Sequence, residues 1–174
     1  MSKINFCYFI GVDPGKEGVI AVIDQHNSYS LYNFQDCFTK KKIDFIKYKN
    51  FSENFTSKIE PIKEVCFACI ENVHSMPKQG VKSTFKFGFY HGLIVSIIVK
   101  NIINTDFIEP HYWKGRYNLT SNKQRSIQLA QRLFNIKQKI TDGQAEALLL
   151  AYFAKEEQVY RYIHQKKGVK NVKD

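Results

Sequence analysis

Three things are scarce in this chain of 174 residues: proline, with 4, tryptophan, with 1, and acid across its middle. With only 9 glycines and 44% hydrophobic residues, the low proline content excludes collagen-like and disordered chains. Long apolar runs are lacking too. The longest, Leu93 to Val99, is interrupted by Ser96 and closed by Lys100, whereas a spanning helix needs about 20 such residues. Cys7–Val12 is apolar but too short for the core of a secretory signal, and Asp13 follows at once. The expectation is a soluble, non-secreted protein with no membrane partner, long enough to bury a core without disulfides or structural metal.

Cysteine offers little. Cys66 and Cys69 form a CxxC pair, a spacing that zinc and redox sites use. They lie, however, in EVCFACIEN, which reads as a strand, and residues three apart on a strand face opposite sides. Buried, reduced thiols are expected rather than a metal cluster. The missing acid is more telling. Between Asn72 and Thr141 stand 11 Lys or Arg and two acids, Asp106 and Glu109, so this stretch holds +9 of the formal +10. Segregated charge of this kind is the footprint of a polyanion binder, and nucleic acid is the favoured partner.

Periodicity and turn residues give the order β-β-β-α-β-α-β-α-α. Phe6–Asp13, Gly18–Asp24 and Tyr29–Phe34 read as strands joined by short turns, and so as an antiparallel meander. Lys40–Ile62 reads as a helix ending before Pro61, and Val65–Glu71 as a strand apolar enough to be buried on both faces. Ser83–Asn101 carries Phe85, Phe89, Leu93 and Ile97 at helical spacing, and Thr105–Ile108 is a short strand that stops at Pro110. Capping boxes at Ser121-x-x-Gln124 and Thr141-x-x-Gln144 open two more helices, through about Phe134 and about Tyr162. The expected class is α/β, a mixed five-stranded sheet with helices on both faces, as one domain over 1–163 with a basic, flexible tail over 164–174.

Four acids stand where acids are costly. Asp13 ends one apolar strand and Glu71 ends another, while Asp142 and Glu146 lie four apart on one face of a helix. Singly, each has a structural explanation: a turn starter, a strand-end charge, a partner for the helix dipole, an exposed helical residue. Together they form a pattern. If the first and fourth strands are neighbours and the last helix crosses them, the four converge, and four carboxylates repel unless cations balance them. An all-oxygen set suits Mg²⁺ or Mn²⁺, and two such ions about 3.5–4 Å apart are the arrangement for in-line phosphoryl displacement.

The segments GVDPGKEGVIAVID, ACIENVHSMPKQG and TDGQAEALLLA resemble those of RuvC-type Holliday junction resolvases, phage-encoded members more than bacterial ones. The likeness runs from Phe6 to about Ala154. It implies an RNase H-like fold and a metal-dependent endodeoxyribonuclease that acts as a homodimer in the cytoplasm, the host's if the chain is phage-encoded. Asp13, Glu71, Asp142 and Glu146 are then the catalytic metal ligands, holding two Mg²⁺ per subunit, for which Mn²⁺ substitutes. Bacterial members favour a final aspartate three residues after the preceding acid, and they place a stacking phenylalanine where this chain has His74. By the same resemblance Lys114 and Lys123 lie near the scissile phosphate, flanked by Arg116 and Arg125, while Lys78, Lys82 and Lys86 line the groove entrance and His74 stacks on a base. The helix around Phe85–Val99, with Gly88-x-x-x-Gly92, is the expected dimer contact. Two rivals remain from the sequence: a broader branched-DNA nuclease cutting three-way junctions, forks and flaps, and an inactive junction-binding module.

Overall fold

The computed structural model describes residues 6–15, 17–74, 80–120 and 122–170; for residues 159 and 161–170 the description covers the backbone only. Strands β1 (Tyr8–Asp13), β2 (Val19–Asp24) and β3 (Tyr29–Asn33) form the expected antiparallel meander, with Asp13 opposite Val19 and Val19 opposite Asn33. A 3₁₀ turn (Phe34–Cys37) leads into a two-stranded ladder, β4 (Phe38–Thr39) with β5 (Lys42–Ile43). Helix α1 (Phe45–Ile59) and a second 3₁₀ turn (Glu60–Val65) precede β6 (Cys66–Glu71), α2 (Val81–Asn101) and β7 (Thr105–Ile108). Helices α3 (Pro110–Arg116), α4 (Lys123–Leu133) and α5 (Asp142–Lys170) complete the chain. The main sheet runs β3-β2-β1-β6-β7, with β1, β6 and β7 parallel. Such parallel pairs require crossovers, which α1 and α2 provide.

The pleat divides the core in two. Phe9 on β1 and Phe67 and Cys69 on β6 face one layer, built from α3, α4 and α5 with Trp113, Ala130, Leu150 and Phe153. Ile10, Val12, Cys66, Ala68 and Ile70 face the other, built from α1 and α2 with Phe55, Ile59, Ile94 and Ile98. Cys66 and Cys69 therefore do diverge, and the four cysteines form no disulfide. Burial pushes the Cys37 and Cys66 thiols up to about 12. Helix α5 lies directly on β1 because Gly11 has no side chain there. A β-carbon at Gly11 would stand 2.1 Å from the carbonyl oxygen of Ala147 and 2.3 Å from the amide nitrogen of Ala151.

Several boundaries differ from the sequence expectation, each for a local reason. Lys40 and Lys41 adopt positive φ (48° and 65°), turning β4 into β5 before the helix begins. Asp44 then caps α1, its carboxylate accepting from the amides of Ile46 and Lys47. Pro110 does not end order but opens α3, where its missing N–H costs nothing. Ser121 lies outside the described residues, and Asn122 caps α4 by accepting from the amide of Gln124. The box at α5 is as expected: Thr141 Oγ1 accepts from the Gln144 amide, and Gln144 Oε1 accepts from the Thr141 amide. Backbone helix continues to Lys170, past the end expected near Tyr162.

Candidate active site

Strand parity sets the site. Asp13 shares a face of β1 with Phe9 and Gly11, and Glu71 shares a face of β6 with Phe67 and Cys69. Both carboxylates thus point to the α5 layer, at adjacent ends of two paired parallel strands. Helix α5 begins over them, with Asp142 and Glu146 one turn apart. A β-carbon at Gly143 would stand 3.0 Å from Asp13 Oδ2, so the glycine lets the helix start close against that carboxylate. Gln144 Nε2 donates to Asn33 Oδ1 at 2.9 Å, tying the first turn of α5 to the end of β3.

The four acids feel one another. Burial, then the charges of Glu71 and Glu146, hold the Asp13 carboxyl well above the usual range; Lys114 offsets part of this, and Asp142 adds to it. Glu146 is raised as well, by burial first, with Lys114 opposing and Glu71 and Asp142 contributing. Two lysines supply counter-charge. Lys114 Nζ lies 3.3 Å from Glu71 Oε1 and 3.0 Å from Glu146 Oε2, and Lys123 Nζ lies 2.9 Å from Asp142 Oδ2. Burial opposes the Lys114 ammonium, but Glu71 and Glu146 outweigh it and raise its pKa. Hydrogen bonding and attraction to Asp142 raise that of Lys123. A cleft of about 590 Å³ opens on Asp13 and Asp142, lined also by Lys123, Asp36, Asn33 and Phe87.

The site suits divalent cations in its donor chemistry. All four ligand candidates are hard oxygen donors, burial first and then the neighbouring acids raise the carboxyls of Asp13 and Glu146, and Asp142 Oδ1 is sealed from solvent without a hydrogen-bond partner among the described residues. No three Asp, Glu, His or Cys side chains among the described residues already close around a common point as metal ligands. Lysine ammonium groups stand among the acids instead.

Other expected site residues scatter. Lys82 and Lys86 are exposed on the first turns of α2, and their neighbour Phe87 lines the cleft. His74 is exposed, with Nε2 3.3 Å from Glu109 Oε2, and Glu109 also accepts from Asn72 Nδ2 at 2.6 Å. Arg116 is set apart from the acids. It pairs with Glu156 and Glu157 and lies over the Phe153 ring, so its partners on α5 begin ten residues beyond Glu146, about 15 Å along the helix. Arg125 lines a separate hollow of about 310 Å³ with Tyr117, Gln128 and Arg132. Lys78 lies outside the described residues. The sequence reading missed Trp113 as a site residue. Fully buried on α3, it donates from Nε1 to Glu71 Oε1 at 3.2 Å and so orients that carboxylate. Its signal was the single tryptophan directly before Lys114.

The strand order, the two helical layers and the acid-lined end of the sheet define an RNase H-like α/β fold of the RuvC type. RuvC of T. thermophilus in complex with Holliday junction substrate superposes with a TM-score of 0.59 at 11% identity, covering 83% of this chain and 90% of that one. A further Thermus thermophilus RuvC structure gives 0.52 at 12% identity, over the same 83% and 90%. The yeast mitochondrial Holliday junction resolvase Ydc2 gives 0.48 at 15% identity, over 97% and 89%. No family model matches the chain, and no curated protein does. At these identities the likeness to the two RuvC structures is one of fold.

Proposed function

We propose that this protein is a structure-selective endodeoxyribonuclease that resolves four-way DNA junctions by paired, metal-dependent nicks in a homodimer. The observation that carries the reading is the convergence of Asp13, Glu71, Asp142 and Glu146 at one end of a RuvC-type sheet. The segregated basic charge and the likeness to a RuvC described with a Holliday junction substrate support DNA as the partner. The resemblance of its motifs to phage-encoded members supports action in a host cytoplasm. No helix among the described residues is long and apolar enough to cross a membrane.

Asp13, Glu71, Asp142 and Glu146 would hold two Mg²⁺ per subunit, with Mn²⁺ able to substitute; bound there, such ions stabilise charge on the phosphoryl group and activate water. The chain's own groups do the positioning. The Trp113 N–H fixes Glu71, the capping box fixes the turn that bears Asp142, and the Gln144–Asn33 contact holds that turn to the sheet. Lys82 and Lys86 offer positive charge to approaching backbone phosphates near the cleft, and His74 offers an exposed ring for a displaced base. The subunit contact is α2. Val81, Phe85, Phe89 and Val99 are exposed along one side of it, 88% and 76% for the first two, and β-carbons at Gly88 and Gly92 would meet nothing within 4 Å.

The test is cleavage of labelled four-way, three-way, forked and linear duplex DNA in Mg²⁺ and in Mn²⁺, beside an Asp13→Asn variant. Symmetric paired nicks confined to the four-way substrate, and lost in the variant, support the reading. Equal cutting of every branched substrate would replace it with a broader debranching nuclease. Tight junction binding without metal-dependent cutting would leave a binding module.

A further inference from the structure

We infer that Lys114 is a gate on metal loading: its ammonium holds Glu71 and Glu146 in the free protein, and a substrate phosphate must draw it off before a divalent cation settles between those carboxylates. The inference rests on the reading of the four acids as metal ligands. It begins from one contact. Nζ of Lys114 lies 3.3 Å from an oxygen of Glu71 and 3.0 Å from an oxygen of Glu146, so a single ammonium bridges an acid of β6 and an acid of α5. A cation entering between those oxygens with Nζ still present would meet like charge at contact distance, in a setting where solvent screens poorly.

The two lysines of the site differ in the way a gate requires. The Lys123 side chain is 76% exposed, so its pairing with Asp142 is screened by water and weakly held. The Lys114 side chain is 24% exposed, lies beside the Trp113 ring at 5.1 Å, and engages two partly buried carboxylates at once. Release from that position has a real cost, yet the flexible four-carbon stem can carry the ammonium to another anion without moving α3. A DNA phosphate brought to the acid cluster is such an anion. DNA then favours metal entry, and by reciprocity metal favours DNA, so the site loads more readily in protein that holds its substrate.

Trp113 makes the idea measurable. It is the chain's single tryptophan, and its N–H lies 3.2 Å from Glu71 Oε1, so paramagnetic Mn²⁺ arriving at Glu71 quenches its fluorescence. The experiment titrates Mn²⁺ into DNA-free wild type, Lys114→Met and Lys114→Arg, following Trp113 quenching and calorimetric heat. A fourth titration uses wild type with a short phosphorothioate duplex. Lys114→Met is expected to bind Mn²⁺ about tenfold more tightly than wild type, and the duplex to tighten wild type by a similar factor. Lys114→Arg, whose planar fork grips carboxylates firmly, is expected to bind no more tightly than wild type. Should Lys114→Met fail to fold, the arginine variant and the duplex titration decide. Equal or weaker Mn²⁺ binding in Lys114→Met, or no effect of the duplex on wild type, overturns the gate and leaves the metal reading intact. No binding to any form overturns both.

Discussion

The two faces of the central sheet are made by the same strands, yet they do opposite things. On the α1–α2 side, Ile10, Val12, Ile20 and Ile70 pack into an apolar core with Phe55, Ile59, Ile94 and Ile98. On the α5 side the same strands end in Asp13 and Glu71, beneath a helix that begins with two more acids. The difference is parity. Each strand's terminal acid falls one residue after a core residue of the far face, so the pleat turns both carboxylates toward α5. A slip of one residue in either strand would put an acid against α1 and α2 and dismantle the site. The placement of the chemistry is thus a consequence of strand register before it is a matter of side-chain detail.

Glycine offers the sharpest way to break the comparison. Gly11→Ala places a β-carbon inside the α5 backbone and should destabilise the protein by about 3 kcal/mol or more, read by thermal melting. Gly88→Ala, on the exposed side of α2, should leave the monomer as stable or up to about 1 kcal/mol more stable. Equal losses at both would contradict the asymmetry of the two layers.

Asp13→Asn should cut cleavage at least about a hundredfold while raising the melting temperature of the metal-free protein. The folded pKa of Asp13 lies above its unfolded value of about 3.9. The folded chain therefore keeps that proton longer, and stability falls as pH rises through the interval between the two values. Above that interval the raised pKa is a cost in stability that asparagine removes. The stabilisation should vanish at pH well below 4, which melting curves across pH will show.

Phe85→Asp, on the unpartnered side of α2, should shift the proposed dimer to monomer in sedimentation with the melting of the monomer unchanged. The smallest effect expected is from Thr141→Ala. It removes the cap of α5 and should cost about 1 kcal/mol of stability, with a modest loss of cleavage because Asp142 sits in the turn it fixes.

Most of this architecture was legible because it rests on local signals. The acid-ended apolar runs, the i, i+4 pair on one helix and the Thr141 capping box all survive as read. What was not legible depends on distant partners. Pro110 ends a strand and equally suits the first position of a helix, and which of the two it marks is settled by the burial of Trp113 three residues on. Arg116 sits in a basic stretch of sequence, but Glu156 and Glu157, some forty residues on, turn it away from the acids. Lys114 and Lys123 were legible as basic groups near the site; that they contact the acids themselves was not, since ion-pair partners across elements leave no periodicity.

The most direct test of the account is anomalous diffraction from crystals of the protein bound to a phosphorothioate four-way junction and soaked in Mn²⁺. It predicts peaks about 2.0–2.2 Å from oxygens of Asp13, Glu71, Asp142 and Glu146, with Lys114 Nζ displaced from Glu71 and Glu146. Ordered crystals at saturating Mn²⁺ with no peak at those oxygens, or with the peaks elsewhere on the surface, would contradict it.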